Sequence, residues 1–224
     1  MATLGQDIPD IEITIPDDQT DRVEVVEIGD GLEVAVLKRV SDLNVEADSG
    51  TTTALVGKKV AESSVTSKAL KGDESTVAFN TTKVNKTEIV VKGQGAGVVS
   101  VNTGRFNNSG IKFNKKSDDS VSFNNGVEVR NATIDGGRGA DTITFKKNSV
   151  IKGTNEITLG QGADVLELPA NKQGKGQIVV TDLANNDTIK IGDQSFSGED
   201  ILNGDVELPN YIKIEGLDWF IDIS

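Results

Sequence analysis

The chain has 224 residues, 36% of them hydrophobic but only 4% aromatic, with 24 glycines and 4 prolines, a balance that favours a turn-rich β architecture. Its formal charge of −12 and pI near 4.5 exclude ordinary nucleic-acid binding, which needs a surplus of lysine and arginine against phosphate. Histidine and cysteine are both absent, so disulfides, thiolate zinc sites, cysteine nucleophiles and histidine-based triads are excluded too.

The opening MATLGQDIPD lacks the basic start and apolar run of a secretory signal, and no run of about 18 apolar residues occurs, so membrane insertion is not expected. Residues 1–50 carry no repeat and read as an N-terminal β arm, cap or docking segment. Ile11, Ile13 and Ile15 alternate between Pro9 and Pro16, as an extended edge strand does. They are the residues expected to dock a partner by strand addition. Val23–Ile28 and Leu32–Val40 follow as two strands joined at Gly29-Asp30-Gly31.

From residue 51 to 224 a repeat governs the chain. The residue before each apolar alternation is Ser75, Gly97, Asp119, Asp141, Asp164, Asp187 and Asn210, at intervals of 22, 22, 22, 23, 23 and 23. A weaker member, Thr53, lies 22 residues upstream of Ser75. A fixed period in this range means stacked units that cannot bury their apolar face alone. One unit holds three short alternating runs, TITF (142–145), SVIK (149–152) and EITL (156–159), separated by asparagine- or glycine-rich corners. Three strands and three corners per unit predict an all-β fold, a right-handed β-solenoid or β-helix of about seven coils. Its rod would be roughly 34 Å long at the usual inter-strand spacing. A β-sandwich also has short, evenly spaced strands, but gives no reason for similar positions to recur every 22–23 residues.

The corner Gly136 to Thr144, GGRGADTIT, carries a sharper pattern. It resembles the RTX nonapeptide G-G-x-G-x-D-x-U-x at every defined position. LGQGADVLE, at 159–167, is a partial copy that keeps Gly160, Gly162 and Asp164, while DLANNDTIK keeps Asp187 and Ile189. The resemblance implies Ca2+ held between coils by Gly136, Gly137, Gly139 and Asp141 and by Gly160, Gly162 and Asp164, through the carboxylate and carbonyl oxygens that this ion takes as ligands. RTX rolls, however, use eighteen residues per coil, and Gly97 and the corner NKKSDD break the pattern here. The competing expectation is a set of glycine corners with solvated carboxylates, and KKSDD (115–119) likewise reads as a solvated corner.

The sequons at Asn80, Asn85, Asn107 and Asn131 read as asparagine-rich corners. Tyr211, Trp219 and Phe220 gather in the last coil and are expected to plug the open end of the solenoid, where a bare sheet edge would invite association.

Three functions compete on this reading. The first is a non-catalytic structural or attachment protein, oligomeric or monomeric, joined to protein partners through the N-terminal segment; a short, acidic, cysteine-free solenoid resembles the decoration, tail or fibre components of bacteriophage virions. The second is a secreted RTX-like calcium-binding protein of the bacterial surface, extracellular without a cleaved signal peptide. The third is a polysaccharide-acting β-helix enzyme using Asp118 with Asp119, or Asp141 with Asp164, as paired carboxylates. Coil faces of Ser, Thr, Lys, Asn and Asp disfavour the enzyme.

Overall fold

The computed structural model describes residues 2–4, 11–28, 31–36, 38–47, 52–114, 116–124, 126–171 and 173–217, which form an all-β solenoid of about six turns. Each turn lays a strand on each of three faces. The first face stacks Asn44–Ala47, Ser64–Ala69, Glu88–Gly93, Gly110–Asn114, Thr133–Asp135, Thr154–Thr158 and Gln177–Val180 in parallel. The second continues from Gly31–Val36 through Ala96–Val101, Ser120–Phe123, Thr142–Phe145 and Val165–Leu168 to Thr188–Ile191. The third carries Val40–Ser41, Arg105–Asn107, Glu128–Arg130 and Val150–Lys152. Two long strands, Thr52–Ala61 and Glu74–Asn85, run from the second face onto the third.

The register follows the sequence period: Ser120 faces Thr142, Thr142 faces Val165, and Val165 faces Thr188. Alternation then decides what is inside. Val121, Phe123, Ile143, Phe145, Leu166 and Leu168 are buried, and the residues between them are half-buried. Phe123 stacks on Phe145 with centroids 4.8 Å apart and meets Phe106 of the third face edge-on at 5.4 Å, so aromatic contacts bridge two faces of the core.

Both ends differ from the expected layout. Stacking starts at Gly31, which pairs in parallel with Thr52, inside the segment that carries no visible repeat. Upstream, the chain crosses the faces in reverse. Ile11–Ile15 lies antiparallel on Asn44–Ala47, with Ala2–Leu4 antiparallel beyond it, and Val23–Ile28 lies antiparallel on Gly31–Val36. Between them the 3-10 helix Asp17–Arg22 brings Gln19 to the third face, where its Oε1 accepts from Ser41 N–H at 2.9 Å. One reversed turn thereby covers the N-terminal end and satisfies its backbone groups. Ile13 and Ile15 are fully buried beneath it; they hold the cap to the coils and offer a partner no surface. Ile11 lies in the same strand, and its side chain lies outside the described residues.

Two further expectations are corrected by the register. Thr53 faces Val77 rather than Ser75, because this coil is 24 residues long. The run YIKI does not stack on Thr188–Ile191: Ile212–Ile214 pairs with Ile178–Val180 on the first face. The second face instead ends in the antiparallel strand Gln194–Ser197, followed by the helix Gly198–Asn203, whose Asp200 N–H is capped by Ser197 Oγ at 3.1 Å. Tyr211 is half-buried against the core, while Trp219 and Phe220 lie outside the described residues.

At the corner between the third and first faces the backbone is left-handed in successive coils, at Asp42, Glu62, Lys86, Asn108, Asn131 and Gly153, with φ of 57°, 51°, 50°, 46°, 48° and 60°. Asparagine tolerates this region better than lysine does. Asn131 also donates to Asn108 Oδ1 at 2.9 Å. Lys86→Asn is therefore expected to extend that ladder and raise the thermal midpoint by about 1–2 °C, since roughly 0.5 kcal/mol is gained in a chain of this size. The exposed Lys86–Glu62 pair at 3.5 Å contributes little that could be lost. Differential scanning calorimetry of the two proteins measures it.

Candidate functional site

The corners between the first and second faces hold the nonapeptide-like segments. The structure brings the expected residues together, since Arg138 bridges Gln161 in the next coil, Gly139 N–H donates to Gln161 O at 2.8 Å and Gln161 N–H donates to Gly137 O at 2.9 Å. Gly136, Gly137, Gly139 and Asp141 thus lie directly beneath Gly160, Gly162 and Asp164.

The glycines answer to close backbone approach. A Cβ on Gly162 would stand 1.5 Å from Gly139 O, and one on Gly136 would stand 2.3 Å from Leu159 O. Gly162→Ala is expected to destabilise the protein by about 2–3 kcal/mol, because the neighbour that must move is backbone rather than a pliant side chain. Urea denaturation checks it.

The aspartates are not solvated. Asp119, Asp141, Asp164 and Asp187 are each at most 3% exposed and form an inward ladder. Oδ1 of each accepts the N–H of the residue one coil earlier: Gly97 to Asp119 at 2.6 Å, Asp119 to Asp141 at 2.7 Å, Asp141 to Asp164 at 2.7 Å, and Asp164 to Asp187 at 3.0 Å. Asp187 closes its own corner as well, its Oδ2 accepting from Ala184 N–H at 2.8 Å. Of the KKSDD corner, Asp119 belongs to this buried ladder, whereas Asp118 is exposed and accepts from Ala140 N–H at 2.8 Å. Asp182 likewise accepts from Leu159 and Gly160 N–H at 2.7 and 2.9 Å. In the sequence Asp119 stood out as a repeat marker and as the neighbour of Asp118, and Asp187 as a repeat marker kept in the weakest nonapeptide copy.

Oδ2 of Asp141 and of Asp164 is buried with no hydrogen-bond partner. Burial is the main cause that pushes the Asp141 carboxyl up to about 7 and the Asp164 carboxyl to about 6, against the pull of the accepted backbone N–H; the charges of neighbouring aspartates raise them further. Asp187 is raised by burial as well. A row of carboxylates one coil apart cannot all stay ionised away from water, so protons or a cation must neutralise it.

The fit to calcium is divided. The unpartnered Oδ2 atoms of Asp141 and Asp164, with Leu159 O and Asp141 Oδ2 both facing the space above Gly136, suit an oxygen-seeking cation. Against it, each Oδ1 and the Gly137 carbonyl are engaged by backbone N–H groups. Among the described residues no group of three or more acidic side chains forms a metal-binding cluster, whereas calcium takes six to eight oxygens.

Elsewhere the inner corners use neutral groups for the same task. Ser63, Ser109 and Asn155 accept N–H from the preceding coil at 3.1, 3.1 and 3.0 Å. The sequon asparagines are engaged on the outer faces, Asn80 accepting from Asn102 at 2.8 Å and Asn85 from Asn107 at 2.6 Å. In comparison with known proteins, the chain matches no family model, and no curated protein or solved structure shows significant similarity to it.

Proposed function

We propose that the chain is a non-catalytic structural or attachment component of a larger assembly, of the virion decoration, tail or fibre type, in which the coils act as a rigid spacer. The observation that supports this reading is the use of the corner carboxylates. Asp118, Asp119, Asp141, Asp164, Asp182 and Asp187 all accept backbone N–H groups, almost all of them from neighbouring coils, so the chemistry that could serve hydrolysis serves to join rungs instead. Partner contact falls to the outer edge of the cap, where Ala2–Leu4 is the outermost described strand of the first face and strand addition is open to it. Repeated weak contacts of that kind become tight in a multivalent assembly. Quantitative mass spectrometry of density-purified particles from the producing culture tests the reading. A fixed copy number per particle is expected, and recovery confined to medium or cell surface overturns it.

A second reading, an extracellular or cell-surface protein with Ca2+ on the aspartate ladder, is favoured by the unpartnered Oδ2 atoms of Asp141 and Asp164. Its test is a thermal melt in EGTA and in millimolar calcium. A ligand that binds the folded state alone raises the midpoint, so a steep rise supports calcium, and superimposed curves leave neutralisation to protons.

A further inference from the structure

On the outside of the same corner lies a feature that none of this explains. Lys112, Lys116 and Arg138 line a shallow pocket of about 460 Å³ with Gln94, Gly93 and Gly137. The chain carries a net charge of −12, yet here three cations face one carboxylate, Asp135, and that carboxylate pairs with Lys112 at 3.4 Å. Lys116 and Arg138 are exposed and bridge in parallel in successive coils, about 4.8 Å apart along the rod. Like charges directly opposite in a sheet destabilise it, and neither has an ion-pair partner among the described residues. An anion seated between the two turns that repulsion into attraction.

We infer that this pocket binds an oxyanion of the phosphate or sulfate type. Arg138 offers a planar fork that matches two oxygens at once, and Lys116 offers a point charge from the adjacent coil. Gln94, which also lines the pocket, adds an amide donor. Lys112, held by Asp135, supplies field more than contact. The oxyanion can be a free ion or a group on a sulfated polymer lying along the corner; the chemistry recognised is the same. This inference is independent of the virion and calcium readings, since the pocket lies outside the core and uses no ladder aspartate.

Isothermal titration of the full chain with inorganic phosphate and with dextran sulfate, at matched ionic strength in chloride, tests it. Binding of either probe is expected in the wild type. In K116Q/R138Q the affinity should fall by about tenfold or more, as loss of a charge-assisted pair implies. The double variant should melt no lower than the wild type in chloride, because a repulsion has been removed; this keeps loss of binding separate from loss of fold. Asp135→Asn, which frees Lys112, should tighten binding about threefold. Binding of phosphate identifies a small ligand and binding of dextran sulfate alone a polymeric one, both in support. Absence of binding by both probes, or equal affinity in K116Q/R138Q, overturns the inference.

Discussion

Between pH 5 and pH 8 the protein is expected to lose several kcal/mol of stability, the reverse of the trend that salt-bridged carboxylates usually impose. The cause is the buried aspartate ladder. In the unfolded chain these carboxyls titrate near 3.8, whereas in the fold Asp141 titrates near 7 and Asp164 near 6. The folded state therefore binds more protons than the unfolded state across that interval. Stability contributed by the protonated ladder is complete below the unfolded value and disappears as pH rises through 6 to 7. At about 1.4 kcal/mol per pH unit of displacement, Asp141 alone accounts for on the order of 4 kcal/mol over the whole window from its unfolded to its folded value, of which about 3 kcal/mol is lost above pH 5. The rungs titrate as a coupled set, so their contributions do not simply add. The opposing groups are Glu128 and the exposed Asp21, which hydrogen bonds from Lys152 and Lys38, both at 2.8 Å, hold below their ordinary range; their contributions are already present at pH 5.

Urea denaturation in EGTA at pH 5, 6, 7 and 8 measures the slope, and Asp141→Asn assigns it. Asparagine keeps an oxygen for the Asp119 N–H and cannot ionise, so the variant should equal or exceed the wild type at pH 8 and flatten the profile by about one proton. Stability that rises with pH over this range, in both proteins, would contradict a buried ladder. Neutralisation of the ladder by acid tightens the seam between coils.

Much of this was legible in the residues. Alternation at period two places Val121 and Phe123, and likewise Ile143 and Phe145, on the inner face, and the 22–23-residue spacing sets their register. The same parity puts Asp119 and Asp141 inside too, two residues before Val121 and Ile143, but a carboxylate beside glycines suggests solvent unless a donor from the next coil is in view. That donor, a backbone N–H, leaves no mark in a sequence. The ends were obscured for another reason. Ile13 and Ile15 alternate as an edge strand should, yet whether that strand meets a partner or its own first coil depends on the reversed path through Asp17–Arg22. YIKI stands 23 residues after TIKI by coincidence of length: the turn at Gly192, the antiparallel strand and the short helix fill the interval and return the chain to the first face. The corner pocket escaped because Lys116 and Arg138 become neighbours only through the register.

Phe123→Ala is expected to cost about 3–5 kcal/mol, the usual range for removing a buried aromatic ring and a large share of the 5–15 kcal/mol that holds a typical domain. Phe123 is fully buried and occupies the middle of the rod, with Phe145 stacked on one side and Phe106 edge-on from the third face. The strands that carry these rings are tied by backbone ladders on each side, so the walls cannot close freely over the space left behind. Phe123→Leu refills most of that volume and should cost considerably less. The comparison also probes how the solenoid coheres. In a stack of coils each unit contacts its neighbours alone, and total stability approximates a sum of unit and interface energies. A mid-rod cavity should then weaken the coils around 97–145 most, and native-state hydrogen exchange should show their amides losing protection first while Ile178 and Ile189 keep theirs. Uniform loss across all coils would mean that the rod unfolds as one cooperative block, with the caps and the aspartate ladder transmitting the defect from end to end.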